Sequence, residues 1–362
     1  MKKKRIVIKI GTNTMTRADG DIDAGYIETV AKEIIDIRRK GADVIIVTSG
    51  AIGSGCHELG IKTRIRDIRL RQACAAIGQN KVIQTYHDAF RKYNQLVALI
   101  LITYDEFSDR KKYLNLKNSL EELLKLGVIP IMNENDAVAT DEIDANFGDN
   151  DKLSALVASK MDANLLIMLS DIDALYDKDP KKSRDAKKIA VVKEITEDIE
   201  KMAGKKGSFF AVGGMRTKIN AARITMESGC DMVICNGREK NVVSRIVNGE
   251  QIGTLFLSKK KLSNKERWII HAKPKGKIIV DEGAKKALIS KKSLLPSGIK
   301  GIEGEFNKDD IVAIGDFAKA IVDYSSVELD KIKGKQTSEI ERILCKKCGK
   351  VAAKSENIII LK

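Results

Sequence analysis

The chain is poor in the residues on which most base-stacking and hydrolytic chemistries depend. Aromatic side chains make up only 4% of its 362 residues, which argues against a stacking platform for nucleic-acid bases. Of the three histidines, His57, His87 and His271, none pairs with another at metal-ligand spacing. None adjoins a nucleophile-like motif either, so hydrolase chemistry finds little support. The six cysteines suit free thiols better than a disulfide framework in a chain of this size. Only Cys345 and Cys348 have metal-ligand spacing, and no second such pair or nearby histidine completes a set, so no protein metal site is expected. No apolar run approaches the roughly 18 residues that a membrane span needs. The basic start, Met1 to Arg5, leads into an apolar run broken at Lys9, too short for an export signal. A cytoplasmic protein with no membrane partner is the expectation.

What is present is ordinary in bulk and unusual in detail. An apolar fraction of 43% with 32% charged residues fits a globular chain long enough for two domains. The net charge of +15 suits an anionic partner, a phosphorylated small molecule or a polynucleotide, and serves solubility equally well. Apolar runs at Arg5–Ile10, Val44–Val47, Leu96–Ile102, Val128–Met132, Leu165–Leu169, Met232–Cys235 and Gly253–Leu257 read as strands, those at Val44, Leu96 and Val128 as buried ones. Helical periodicity fills Asp23–Arg39, Arg66–Tyr93, Lys111–Leu126, Asp151–Ser159 and the stretch from Met215 to the stop at Gly229. This alternation predicts an α/β fold, a doubly wound, mainly parallel sheet sandwiched by helices. Composition shifts at Lys273-Pro274-Lys275-Gly276, and beyond it the strands are short and turn-rich. The expected division is 1–258, a linker over 259–276, and a small β-rich domain over 277–362.

Polar segments follow several of these strands. Lys9 breaks an apolar strand just ahead of Gly11, and is either a snorkelling edge residue or a phosphate contact. Thr48 to Gly55 carries three glycines and two serines, a plausible carboxylate- or anion-binding turn, but it matches neither GxGxxG nor a P-loop. Ser170 and Asp171 end the strand at Leu165. Gly213 and Gly214 open a helix with Lys218 in its first turns, a physically sensible phosphate cradle. Ile131 to Asp151 is dense in carboxylates and carboxamides without one basic residue. It is either a solvated loop or a binding surface, and it leaves the carboxyl end of a strand, where open α/β sheets place ligands. Glycine-flanked lysines beside a polar loop suit phosphoryl transfer, in which positioning, backbone amides and Mg2+ suffice.

Lys9-Ile10-Gly11-Thr12, Thr48-Ser49-Gly50-Ala51-Ile52, Asn133-Glu134-Asn135-Asp136-Ala137-Val138, Gly148-Asp149-Asn150-Asp151 and Gly213-Gly214-Met215-Arg216-Thr217-Lys218 stand in the order of the signatures of the glutamate 5-kinases. The chain resembles that branch of the amino-acid kinase family over essentially its whole length. Its tail, with Val280 to Ala284 and Ser293 to Ile299, resembles the PUA domain that many members carry.

The resemblance implies ATP- and Mg2+-dependent phosphorylation of the γ-carboxylate of L-glutamate, the first step towards proline. It implies catalytic roles for Lys9, Lys218 and Asp151, and substrate contacts from Ser49, Asn135, Asp136, Asp149 and Asn150. Nucleotide contacts would come from Lys9, Gly11, Ser170, Asp171 and the run Val212, Gly213, Gly214, Met215, Arg216, Thr217, Lys218. Val212 and Arg216 stand where members commonly carry hydroxyl residues, and Ala174 where glycine is common. The resemblance further implies a homo-oligomer, dimer or tetramer, and feedback inhibition by proline. The lability of an acyl phosphate favours a partner reductase, glutamate-5-semialdehyde dehydrogenase. Two other functions compete with this one. One is another acid or phosphate kinase of the superfamily, acting on acetylglutamate, carbamate or UMP. The other is an RNA-binding protein, against which stand the even spread of charge and the sparse aromatics.

Overall fold

Side-chain alternation along the first strand sets the layering. A computed structural model of the chain describes residues 4–63, 65–103, 105–138, 150–180, 183, 185–202, 214–258, 263–344, 349 and 351–361. Arg5–Ile10 forms β1, with Ile6, Ile8 and Ile10 in one apolar core and Val7 in another. The period of two places Lys9 on the side of Val7, and that choice of face decides which helices it can reach.

The first of two units, residues 1–262, contains β1 and, among the described residues, nine further strands. These are β2 (Asp43–Val47), β3 (Val97–Ile102), β4 (Ile129–Glu134), β5 (Leu165–Ser170), the hairpin β6 (Leu175–Tyr176) and β7 (Lys188–Ile189), β8 (Val191–Val192), β9 (Asp231–Asn236) and β10 (Thr254–Phe256). Eight of them form one sheet in the order β3-β4-β2-β1-β5-β9-β10-β8, parallel throughout except between β9 and β10. The helices are α1 (Thr12–Met15), α2 (Ala24–Arg39), α3 (Ala51–Glu58), α4 (Ile68–Arg91), α5 (Asp105–Ser108), α6 (Arg110–Lys125), α7 (Asn150–Lys160), α8 (Glu197–Met202), α9 (Met215–Ser228) and α10 (Val242–Val247). Buried residues of α2, α4 and α10 pack on the face of Ile6 and Ile8. Those of α6, α7 and α9 pack on the face of Val7, giving the expected helix-sheet-helix sandwich. Each fully buried Ile or Val contributes about 1.5–3 kcal/mol.

Local chemistry explains the helix ends. Asp23 caps α2 by accepting from the Tyr26 amide, and Gly41 turns the chain out of it at φ +91°. Gly229 ends α9 with φ +74°. Two expectations meet corrections. The glycine-rich segment after β2 is a helix, α3, and not only a turn. The β3 segment is not a buried strand: it lies at the sheet edge with Leu96 69% and Leu101 37% exposed, because periodicity does not reveal which strand lacks a neighbour.

The second unit, residues 263–362, contains β11 (Lys277–Val280), β12 (Ile299–Glu303), β13 (Ile311–Ile314), β14 (Ala318–Ile321) and β15 (Ile358–Ile360) in a five-stranded sheet ordered β12-β11-β13-β14-β15. Its helices are α11 (Asn264–His271), α12 (Glu282–Ile289), α13 (Ser326–Ile332) and α14 (Thr337–Leu344). Ser263 with Glu266, and Ser325 with Glu328, form capping boxes on α11 and α13. Trp268, Ile269 and Ala272 pack with Ile311 and Ile321, so α11 is part of this unit's core. Cys56, Cys74, Cys230 and Cys235 are free thiols, while Cys345 and Cys348 lie outside the described residues. Among the described residues no helix is long and apolar enough to cross a membrane.

Candidate active site

Strand order reverses between β1 and β5, since β2 follows on one side of β1 and β5 lies on the other. Parallel sheets open a crevice at such a switch point, at the carboxyl ends of the strands. There the Gly11 amide donates to the Leu169 carbonyl at 3.0 Å, joining the end of β1 to that of β5.

The centre of the crevice is ionic. Lys9 Nζ stands 2.7 Å from Asp151 Oδ1, and Lys218 Nζ stands 3.0 Å from Asp151 Oδ2. The Thr217 hydroxyl donates to the same Oδ2 at 2.8 Å. Three elements converge here: the inward face of β1, the first turn of α7 and the first turn of α9. Asp151 is only 2% exposed. Burial alone would raise its carboxyl pKa, but the Lys9 and Lys218 ammonium groups and the Thr217 hydroxyl outweigh burial and hold it well below the usual carboxylate range. Two buried cations facing one buried anion leave a net positive charge, which a multiply charged phosphate would compensate. Gly214 at the N-cap of α9 supplies no side-chain cap, so the first amides of this helix are placed to receive an anion.

Beside this centre lies a chain of neutral polar groups. Asn150 Nδ2 donates to the Thr48 carbonyl at 2.8 Å, Ser49 Oγ at 2.9 Å and Asn133 Oδ1 at 3.1 Å. Asn133, at the end of β4, donates in turn to Gln79 Oε1 of α4 at 2.8 Å. Gly50 adopts φ +89°, a left-handed conformation that swings the backbone from β2 straight into α3 and leaves Ser49 at the turn. A Cβ on Gly55 would lie 1.9 Å from the Cys74 carbonyl oxygen, and one on Gly78 1.9 Å from that of Ala51. Only glycine allows α4 to approach α3 closely enough to bring Gln79 to Asn133.

On the other side of β1, the buried Ser170 hydroxyl donates to Asp171 Oδ1 at 3.1 Å, and Asn13 Nδ2 donates to Asp171 Oδ2 at 3.0 Å. Partial burial would raise the Asp171 carboxyl pKa, but these donors and the nearby Lys218 lower it.

The sequence-derived residues thus divide. Lys9, Thr217 and Lys218 meet on Asp151, and Ser49 meets Asn150. Asn135 and Asp136 follow β4 directly, half-buried. Met215 turns its side chain into the core, leaving only its backbone for a ligand, while Arg216 is exposed. Asp149, Val212 and Gly213 lie outside the described residues. Asn150 is the first residue of α7, and its carboxamide nitrogen is spent across the crevice. Gln79 and Asn13 were not anticipated. The signal for Gln79 was a lone carboxamide in the buried stripe Cys74, Ala75, Gly78, Val82 and Tyr86 of α4.

Residues 4–236 match the amino acid kinase family model, and residues 276–344 match the PUA domain model. The chain belongs to the amino acid kinase family. Glutamate 5-kinase from Methanosarcina mazei is 50% identical over 99% of this chain and 96% of the relative. Glutamate 5-kinase from a Thermoanaerobacter species is 45% identical over 99% of this chain and 98% of the relative. Among solved structures, carbamate kinase from Giardia lamblia bound to AMP-PNP matches 71% of this chain and 99% of its own, with TM-score 0.52 and 19% identity. UMP kinase from Ureaplasma parvum matches 71% of this chain and 100% of its own, with TM-score 0.50 and 18% identity. At that identity these structures bear on the fold alone. The sheet of this kinase accordingly has the amino acid kinase architecture, and its tail carries a PUA domain.

Proposed function

We propose that this kinase transfers the γ-phosphoryl group of ATP to the γ-carboxylate of L-glutamate, forming L-glutamyl 5-phosphate, the first step of proline biosynthesis. A carboxylate oxygen forms a bond to the γ-phosphorus as the bond from that phosphorus to the β,γ-bridging oxygen breaks, and its electron pair leaves with ADP. The carboxylate, with an ordinary pKa of about 4.3, is ionised at neutral pH and needs no general base, so scarcity of histidine costs the reaction nothing. The observation that carries this reading is the buried ionic centre, two lysines bridged by one aspartate at the switch point. Lys9 and Lys218 would meet the charge that develops on the transferring group, and Asp151 would hold both ammonium groups in place.

The first amides of α9, with Gly214, Thr217 and the outward Arg216, would cradle the nucleotide phosphates, and Ser170 and Asp171 would border them. Val212 and Gly213 belong to the same proposed segment. No group of three acidic, histidine or cysteine side chains among the described residues is placed to hold a metal. Mg2+ would arrive bound to the nucleotide and would neutralise part of the phosphate charge. Ser49 with the amides at the start of α3 would receive the α-carboxylate of glutamate. Asn150, Asn135, Asp136 and Asp149 would face its ammonium group.

Residues 1–258 would form the kinase segment, joined through 259–276 to a PUA segment over 277–362. Exposed apolar residues along the β3 edge support a homo-oligomer, dimer or tetramer. A cytoplasmic location, proline as feedback inhibitor and a reductase that consumes the labile product complete the proposal.

The test is ADP release across four acceptors: glutamate, acetylglutamate, carbamate and UMP. Glutamate is expected to be turned over with the highest kcat/KM. Equal or better turnover of any other acceptor overturns the assignment.

A further inference from the structure

Gln79 is absent from the roles proposed above, yet it sits at the far end of the carboxamide chain. It is 8% exposed, on the face of α4 turned towards β4. A carboxamide has one end that accepts and one that donates, so a chain of them carries a direction. Gln79 presents its oxygen to Asn133 Nδ2 at 2.8 Å. Asn133 must then present Oδ1 to the next residue, and it does, accepting from Asn150 Nδ2 at 3.1 Å. Ser49 Oγ and the Thr48 carbonyl occupy the same amino group. Asn150 Oδ1 is left as the buried end of the chain, with no hydrogen-bond partner among the described residues. A buried carboxamide oxygen without a partner is unfavourable unless something supplies a donor.

We propose that Gln79 is a positioning residue that holds Asn133 in this chain. By accepting from Asn133 Nδ2 it keeps Asn133 Oδ1 on Asn150, and so steadies Asn150, whose amino group the Thr48 carbonyl anchors, with its oxygen reserved for the ammonium group of the substrate. The inference rests on the assignment of glutamate as acceptor. It adds that discrimination for an α-amino acid over the same diacid without the amine is set partly from α4. Gln79 itself touches no reacting atom.

An apolar residue at 79 would leave Asn133 Nδ2 without its acceptor and free Asn133 to turn from Asn150. The Thr48 carbonyl can only accept and would still hold the Asn150 amino group, so Asn150 would lose one of its three contacts without reversing, and its oxygen would be held less firmly towards the substrate ammonium.

Steady-state kinetics of the full chain with Gln79→Leu, Gln79→Met and Gln79→Glu test this, using glutamate as substrate and glutarate, which lacks the amine, as competitive inhibitor. The leucine and methionine variants are expected to raise KM for glutamate about tenfold, the equivalent of one hydrogen bond to a charged group, with kcat and KM for ATP within about threefold of wild type. Glutarate inhibition should not change. Gln79→Glu, which keeps the accepting oxygen, should restore KM for glutamate. Equal weakening of glutamate and glutarate, a parallel loss of kcat and ATP affinity, or failure of the folded glutamate variant to restore KM overturns the proposal. If the apolar variants do not fold, the glutamate variant alone decides by whether its KM stays at the wild-type value. Absence of glutamate turnover in the wild type would instead overturn the acceptor assignment beneath it.

Discussion

Two neighbouring halves of one crevice handle buried polarity in opposite ways. Around Asp151, formal charges compensate one another, and every contact is short and charge-assisted. Around Asn150, no formal charge is present in the chain from Gln79 to Ser49, and what a ligand would meet depends on which end of each amide faces which neighbour. A buried ionic cluster depends on close contact between its charges and is intolerant of losing one of them. A buried amide chain also loses stability when a partner goes, and in addition it changes what it can recognise when one amide turns. The first half is therefore suited to a transition state whose charge grows, and the second to telling one ground-state ligand from another.

The two halves differ most sharply at Lys218. Lys218→Ala is expected to lower kcat by about 10²- to 10³-fold, as removal of one preorganised stabilising group does, with KM for glutamate within about threefold. A large rise in KM at unchanged kcat would move Lys218 to the recognition half. Next in size is Asp151→Asn, which leaves Lys9 and Lys218 facing each other without an anion. Loss of about 3–5 kcal/mol of stability is expected at neutral pH, read by denaturant unfolding. Because the Asp151 carboxyl is held below its ordinary value of 3.8, its contribution is fully present above that value and is lost as pH falls beneath it. The gap between wild type and variant should stay constant from neutral pH down to about pH 4.5 and close below it. A gap that opens on acidification would contradict the ionic account.

The ionic half was far more legible in the sequence than the amide half. Lys9 disturbs an apolar strand, Lys218 follows a glycine pair, and Asp151 starts a helix after an acidic run, so each lysine or aspartate announced itself against its background. Even their shared face follows from strand period. The amide half needed tertiary information. Gln79 lies on a long helix with no motif around it, and its partner Asn133 comes from a strand far along the chain. The α3 helix was hidden by composition, since Gly53 and Gly55 are poor helix formers and made Thr48 to Gly55 read as a turn. Gly55 is tolerated because α4 presses against it, a contact that no local pattern encodes. The edge position of β3 was equally invisible, because an apolar run looks the same whether or not a neighbouring strand covers it.

The smallest expected effects separate that contact from helix propensity. Gly53 and Gly78 both lie in helices of the amide half, yet their surroundings differ. A Cβ on Gly53 would find nothing nearer than the Gly20 carbonyl oxygen at 4.0 Å. A Cβ on Gly78 would overlap the Ala51 carbonyl oxygen at 1.9 Å and the Gly55 amide nitrogen at 2.4 Å. Backbone cannot rotate aside as a side chain can, so Gly78→Ala must push α4 from α3, at about 1–3 kcal/mol. The displacement carries Gln79 away from Asn133, and KM for glutamate should rise while kcat changes little. Gly53→Ala relieves the chain of a poor helix former and should stabilise it by about 0.5–1 kcal/mol with kinetics unchanged. Thermal unfolding and glutamate kinetics of the two variants side by side read both effects. If Gly78→Ala leaves KM at the wild-type value despite lost stability, the approach of α4 matters for the fold alone, and the amide chain does not depend on it.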